Sequence, residues 1–206
     1  MSAPADTRRL HLDARGVVLV VTCTVVWGLG QVAAKVALIE IPALTQAGLR
    51  SLGAGVLVLG WTRRHGIPLT ERDGTLWPGL LAGGLFAAEF AAVFSALRFT
   101  TAGRMTVFLY LAPFVVAGGM AFIARAERLR PVGMVGLLVA FVGVGLAFGD
   151  GFGGATLGPQ QWLGDLLAIA AAIGWGATTL VIRATRLGPV NPAKTLLYQL
   201  GVSGVV

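Results

Sequence analysis

The chain has 206 residues, of which 56% are hydrophobic and 12% charged, and its mean hydropathy is +0.81. A soluble globular domain carries about 25% charged residues, so this chain has too few polar side chains to cover a compact water-soluble fold. These values exclude a soluble enzyme, a disordered tail and a disulfide scaffold, since the single cysteine, Cys23, has no partner within the chain. The net charge of +7 comes from arginines in small groups between apolar runs rather than along one basic stripe, which argues against nucleic-acid binding.

A helix crosses the hydrocarbon core with about 20 mainly apolar residues. Runs of that kind predict spans over 17–39, 44–62, 77–97, 102–124, 131–149 and 162–182, and a seventh opens near 193. The predicted fold class is all-α, a multi-pass transmembrane helix bundle. Frequent glycine, 30 residues in all, suits close helix packing in lipid. Eleven arginines fall in alternate linkers: Arg8, Arg9 and Arg15; Arg63, Arg64 and Arg72; Arg125, Arg128 and Arg130; Arg183 and Arg186. The positive-inside rule assigns these to the cytoplasm, together with the N-terminus. A cleaved leader is the alternative for the first span, but the run from Gly16 to Ala34 exceeds the 7–15 residues of a signal core.

The first span carries a polar stripe. Trp27, Gln31 and Lys35 are spaced by four, which puts them within about 80° on a helix. Lipid cannot satisfy such a stripe, so it is expected to face other helices or a watery cavity, where it would bind a substrate. Lys35 has a second reading as an anchor at the outer interface. Two charges interrupt the weaker spans, Arg50 in the second and Glu89 in the third. Each costs about 2.5–3.5 kcal/mol or more at a helix centre, so Glu89 is expected to pair with Arg50 or Lys35 around an outer polar cavity. Glu89 is also the candidate to carry a coupling proton; a structural ion pair is its alternative. In the fourth span Thr106, Tyr110 and Pro113 share a face, and Pro113 predicts a kink there. Arg50 and Tyr110 are substrate-binding candidates. Glu127 with Arg128, at the cytoplasmic end of the fourth span, reads as a gating or structural pair, and Pro113 is assigned the same kind of role.

An internal repeat orders the spans. Trp27, Gly28 and Lys35 return as Trp175, Gly176 and Arg183 at an offset of 148, and Pro42, Ala43 and Thr45 return as Pro192, Ala193 and Thr195 at 150. Five spans separate the copies, so the second enters the membrane from the opposite face. Inverted repeats of this kind place a substrate site at mid-membrane, which makes Trp175 a further candidate. The segments are 1–15, a cytoplasmic N-terminal piece; 16–150, a first five-helix repeat; and 151–206, the opening of a second. A complete second copy would need roughly 297 residues on this offset, so the chain is expected to be a fragment.

Three stretches carry a family resemblance: VVWGLGQVAAKVAL with IPALTQAGLRSLGAG; ALRFTTAGRMTVFLYLAPFVVAGGMAFIARAERLRPVGMVGLLVAFVGVGLAF; and GDLLAIAAAIGWGATTLVIR. Together they resemble the EamA-type transporters of the drug/metabolite transporter superfamily, over 16–206. The resemblance implies ten spans in two inverted five-helix repeats and transport of small metabolites, amino acids or drugs, often driven by a cation gradient. Glu89 departs from the family pattern.

The partners implied are the lipid bilayer, a small-molecule solute and a coupling cation. A homodimer is left open. No cofactor is expected. His11 and His65 lie in polar segments, no His/Cys/carboxylate group has metal-ligand spacing, and no Walker-type loop is present. GxxxG spacings at Gly79/Gly83 and Gly145/Gly149 predict helix packing. Two other functions stay open: a non-transporting half-molecule that partners another membrane chain, and an intramembrane enzyme, for which no nucleophile–base pair is seen.

Overall fold

The computed structural model describes residues 13–69, 71, 73–123, 129–149, 152 and 158–205. Among them the chain forms helices and no strand: α1 Ala14–Ala37, α2 Ala43–Arg64, α3 Leu76–Phe99, α4 Ala102–Leu109, α5 Ala112–Ile123, α6 Pro131–Ala147, α7 Gln161–Ala184 and α8 Pro192–Val205. Among the described residues five stretches are long and apolar enough to cross a membrane, with Ala102–Ile123 taken as one. Helix α6, at 17 residues, sits at the lower limit of about 17 for a span. The chain is a multi-pass membrane protein, as its hydropathy predicts.

Local chemistry sets the helix ends. The Asp13 carboxylate accepts from the Gly16 N–H at 2.8 Å and starts α1, while Thr101 caps α4 by accepting from the Arg104 N–H at 3.1 Å. Pro131 opens α6 from its first turn, where a missing N–H costs nothing. The run expected as one span over 102–124 is two helices. Pro113 has no N–H to give the Leu109 carbonyl, and the chain turns tightly at Tyr110–Leu111. There Leu111 N–H reaches Phe108 O, and Phe114 N–H reaches Leu111 O, each at 3.0 Å.

Helix α3 is the centre of the bundle and touches α1, α2, α4, α7 and α8. Its buried Val93, Phe94, Ala96 and Leu97 pack with Met105 and Leu109 of α4 and with Ala168, Ala171 and Ala172 of α7. The alanine face of α7 lets the two backbones approach closely. At the other end of α3 the GxxxG pair lies against α8. A methyl group on Gly79 would fall 2.5 Å from the Tyr198 ring, and one on Gly83 would fall 2.7 Å from the Tyr198 carbonyl. By contrast, Gly145 meets nothing within 4 Å. Helix α1 has no buried residue.

Helices α2 and α8 meet antiparallel. Ser51 and Ser203 hydroxyls bond at 2.9 Å, Gly55 faces Leu200 and Gly48 faces Gly204. On the 150-residue offset Ser203 is the counterpart of Gly53, two positions from Ser51. The two helices therefore cross near positions that the 150-residue offset matches to within two residues.

Candidate functional site

The helix packing leaves a cavity of about 1010 Å³ between α1, α2, α3, α7 and α8. Its walls are largely apolar, with a few polar groups converging on them, as in small-molecule sites generally. Trp27 and Trp175, near the midpoints of their 24-residue helices, both face it, with ring centroids 6.3 Å apart. Packing explains how Trp175 is presented. Gly174 lies against Glu89, since an added methyl would sit 3.2 Å from its Cβ, and Gly176 lies against Val115 and Ala112. The two glycines hold α7 tightly to α3 and α5 and leave the indole between them turned to the cavity.

Four buried side-chain polar atoms lack a hydrogen-bond partner among the described residues: Gln46 Oε1, Glu89 Oε2, Thr178 Oγ1 and Thr195 Oγ1. Three of these residues, Gln46, Glu89 and Thr178, line this one cavity. Native proteins rarely leave such atoms unsatisfied, and ordered water or a bound solute are the usual partners of groups so placed. Gln46 does use its amide, donating to the Ala34 carbonyl at 3.3 Å. Gln31 and Gln199 add further amides to the lining.

The two intramembrane charges also meet here. Arg50 is exposed and lays its guanidinium over the Phe90 ring at 4.7 Å. Glu89 is only 6% exposed. Both line the cavity and interact electrostatically, yet no ion pair within 4 Å joins them. Nor does Lys35 pair with Glu89. Its ammonium turns onto the end of α3 and donates to the Leu97 carbonyl and, at 2.8 Å, to the Thr100 carbonyl. Two of the three stripe residues, Trp27 and Gln31, thus face the large cavity, and Lys35 holds two helix ends together instead.

Tyr110 lies at the α4–α5 break, edge-on to Trp27 with centroids 6.4 Å apart. It lines a neighbouring cavity of about 380 Å³ with Pro113, Trp27 and Trp175. A third cavity of about 560 Å³ lies toward the other end of α7, bounded by Pro113, Trp175 and Arg183. Trp175 borders all three. Glu127 and Arg128 lie outside the described residues, as do Arg8, Arg9, His11, Arg72 and Arg125.

Two polar ties were not foreseen from the sequence. Asp165 of α7 accepts from the Thr100 hydroxyl at 3.1 Å and from Arg104 Nε at 3.2 Å, and forms a salt bridge with the Arg104 guanidinium. At the opposite end of α3, Lys194 of α8 pairs with Asp73 at 2.8 Å and donates to the Glu71 carbonyl at 3.3 Å. Thr75 is within 3.3 Å of the Tyr198 hydroxyl beside it. The Lys194 ammonium, then the Thr75 hydroxyl, holds the Asp73 carboxyl well below the usual carboxylate range. A signal for Lys194 was available, since it is a lone charge inside the Pro-Ala-x-Thr motif of the repeat.

Comparison with known proteins gives the family. The EamA-like transporter family matches residues 14–149. An uncharacterized transporter, YvbV, of Bacillus subtilis is 27% identical over 83% of this chain and 54% of its own. A probable amino-acid metabolite efflux pump of Escherichia coli is 30% identical over 85% and 56%. The aromatic amino acid exporter YddG of Ancylobacter novellus is 29% identical over 69% and 49%. The chain spans about half the length of the curated relatives it matches. No solved structure matches it significantly. With the family match covering most of the chain, and the membrane helices and central α3 placed as described, the protein belongs to the EamA-like transporter family.

Proposed function

We propose that this chain forms the substrate-binding part of a secondary transporter that moves small amino-acid-type metabolites out of the cell. The observation that carries the reading is the convergence of unpartnered polar atoms from α2, α3 and α7 on the Trp27–Trp175 cavity. The chemistry of the lining matches such a solute. The Arg50 guanidinium takes its carboxylate, and the two indoles and Phe90 form aromatic walls for an apolar or aromatic side chain. Gln31 orients the polar end, and Tyr110 with Pro113 borders the route beyond the cavity. The names of the relatives, an amino-acid metabolite efflux pump and an aromatic amino acid exporter, point to the same solutes.

Transport in this reading is driven by a gradient, with the cell membrane as the site and the N-terminus in the cytoplasm. The first repeat covers 16–150 and a second, inverted repeat begins at 151. Flux of radiolabelled L-phenylalanine across vesicles containing the purified protein tests it. Trp27→Ala and Trp175→Ala each raise KM by about tenfold, ~1.4 kcal/mol of binding. Absence of flux with a folded protein favours the non-transporting partner-subunit reading instead.

A further inference from the structure

We propose that Glu89 is an exchange site at which a proton and the ammonium group of the substrate alternate. The inference deepens the transport reading and rests on the central cavity being the substrate site. Three observations carry it. Glu89 is 6% exposed, one of its carboxylate oxygens has no hydrogen-bond partner, and the side chain borders the 1010 Å³ cavity midway along α3. A carboxylate so placed must be neutralised, by a proton or by a cation brought to it.

The surroundings do not supply that cation as a fixed contact. On α2, Arg50 faces the cavity but is stacked over Phe90 and makes no ion pair with Glu89. On α1, Lys35 is engaged with the Leu97 and Thr100 carbonyls, and Cys23 is the other titratable group facing the cavity. On α4 and α7, Arg104 and Asp165 are paired with one another, and Arg183 borders a different cavity. On α8, Lys194 is paired with Asp73, and Tyr198 meets Thr75. On α3 itself, Arg98 lies in the last turn, over Phe99. Arg50 is thus the charge that senses Glu89, and it stays free to take a substrate carboxylate.

The exchange balances. A protonated Glu89 gives its proton to the cavity water as the substrate ammonium docks, and the resulting carboxylate pairs with that ammonium. One positive charge replaces another at the carboxylate, and Arg50 is unchanged. A substrate without the ammonium binds through Arg50 and the aromatic walls and releases nothing.

Isothermal titration calorimetry in two buffers of different ionisation enthalpy measures binding and proton release together. The probes are L-phenylalanine, phenethylamine and 3-phenylpropionate, titrated into the purified protein across about pH 5–9, where carboxylates and amines are distinguished. The two amines are expected to release protons on binding and the carboxylic acid to release none. Release vanishes in Glu89→Gln and persists, with affinity weakened by about tenfold (~1.4 kcal/mol), in Glu89→Asp. Binding of the amines without release in the wild type overturns the exchange site and leaves the cavity reading standing. Release that survives in a folded Glu89→Gln protein assigns it to another group and also overturns the proposal. If none of the probes binds, the cavity reading fails, and the exchange site with it.

Discussion

Replacing Gly83 by alanine puts one methyl group into the seam between α3 and α8. Its carbon would stand 2.7 Å from the Tyr198 carbonyl oxygen, 2.7 Å from Val202 Cγ2 and 2.9 Å from Val202 Cβ. Carbon atoms pack at about 3.5–4.0 Å, so the helices must separate by roughly 0.7 Å or more. A valine can rotate away, but a helix carbonyl cannot. Overpacking of this kind costs about 1–3 kcal/mol. The internal control is Gly84, the next residue, where an added methyl meets nothing within 4 Å. Alanine there gains up to about 1 kcal/mol of helix propensity over glycine. Thermal unfolding of the detergent-purified protein reads the difference, at about 2–4 °C per kcal/mol for a chain of this size. Gly84→Ala should melt at or slightly above wild type, and Gly83→Ala, which shares the propensity gain but adds the overpacking, roughly 2–12 °C below Gly84→Ala. Adding Val202→Ala to Gly83→Ala should restore part of the loss, because the carbonyl contact remains. Equal melting temperatures for the two single variants would refute the close approach of α3 and α8.

Asp73 titrates with a defined sign. Its folded-state carboxyl is depressed chiefly by Lys194, so the tie is intact above the unfolded carboxylate value of about 3.9 and is lost as pH falls through and below it. The melting-temperature difference between wild type and Asp73→Asn should be constant at neutral and mildly acidic pH and should shrink below about pH 4. For the pair Arg104–Asp165, with side chains 13% and 18% exposed, a double-mutant cycle with Arg104→Gln and Asp165→Asn should give a coupling of about 1–3 kcal/mol in chemical denaturation. Lys35→Met removes a donor from two carbonyls at the end of α3 and should lower stability by about 1 kcal/mol. The KM for substrate in the flux assay should stay unchanged, because Lys35 does not line the cavity; a tenfold rise in KM would return it to the binding site.

Much of the architecture was legible in the chain because lipid demands it. A span must be long, apolar and helical, so the helix positions followed from hydropathy. Pro113 announced the break in the fourth span because the lost N–H is a property of the residue itself. The Pro-Ala-x-Thr motif stands at the start of both α2 and α8, and these two helices meet through Ser51 and Ser203. Gly79 and Gly83 pack as their spacing predicts, but Gly145 does not, since a spacing of four shows only which face is small and not which helix covers it.

What only the tertiary structure decided is where each charge goes. Periodicity put Trp27, Gln31 and Lys35 on one stripe, yet a long lysine side chain reaches several ångströms along a helix, and the carbonyls at the end of α3 attract it away from the cavity. Asp165 lies 61 residues from Arg104, and Lys194 lies 121 from Asp73, separations at which nothing local in the chain marks the partner. The same holds for the orphaned oxygen of Glu89, whereas the repeat did mark Trp27 and Trp175 as counterparts and the packing brings their rings together. Hydropathy fixes which segments enter the membrane, because that is a property summed along one helix. The site arises where several helices pack, and the packing selects among charges that the sequence leaves equally free.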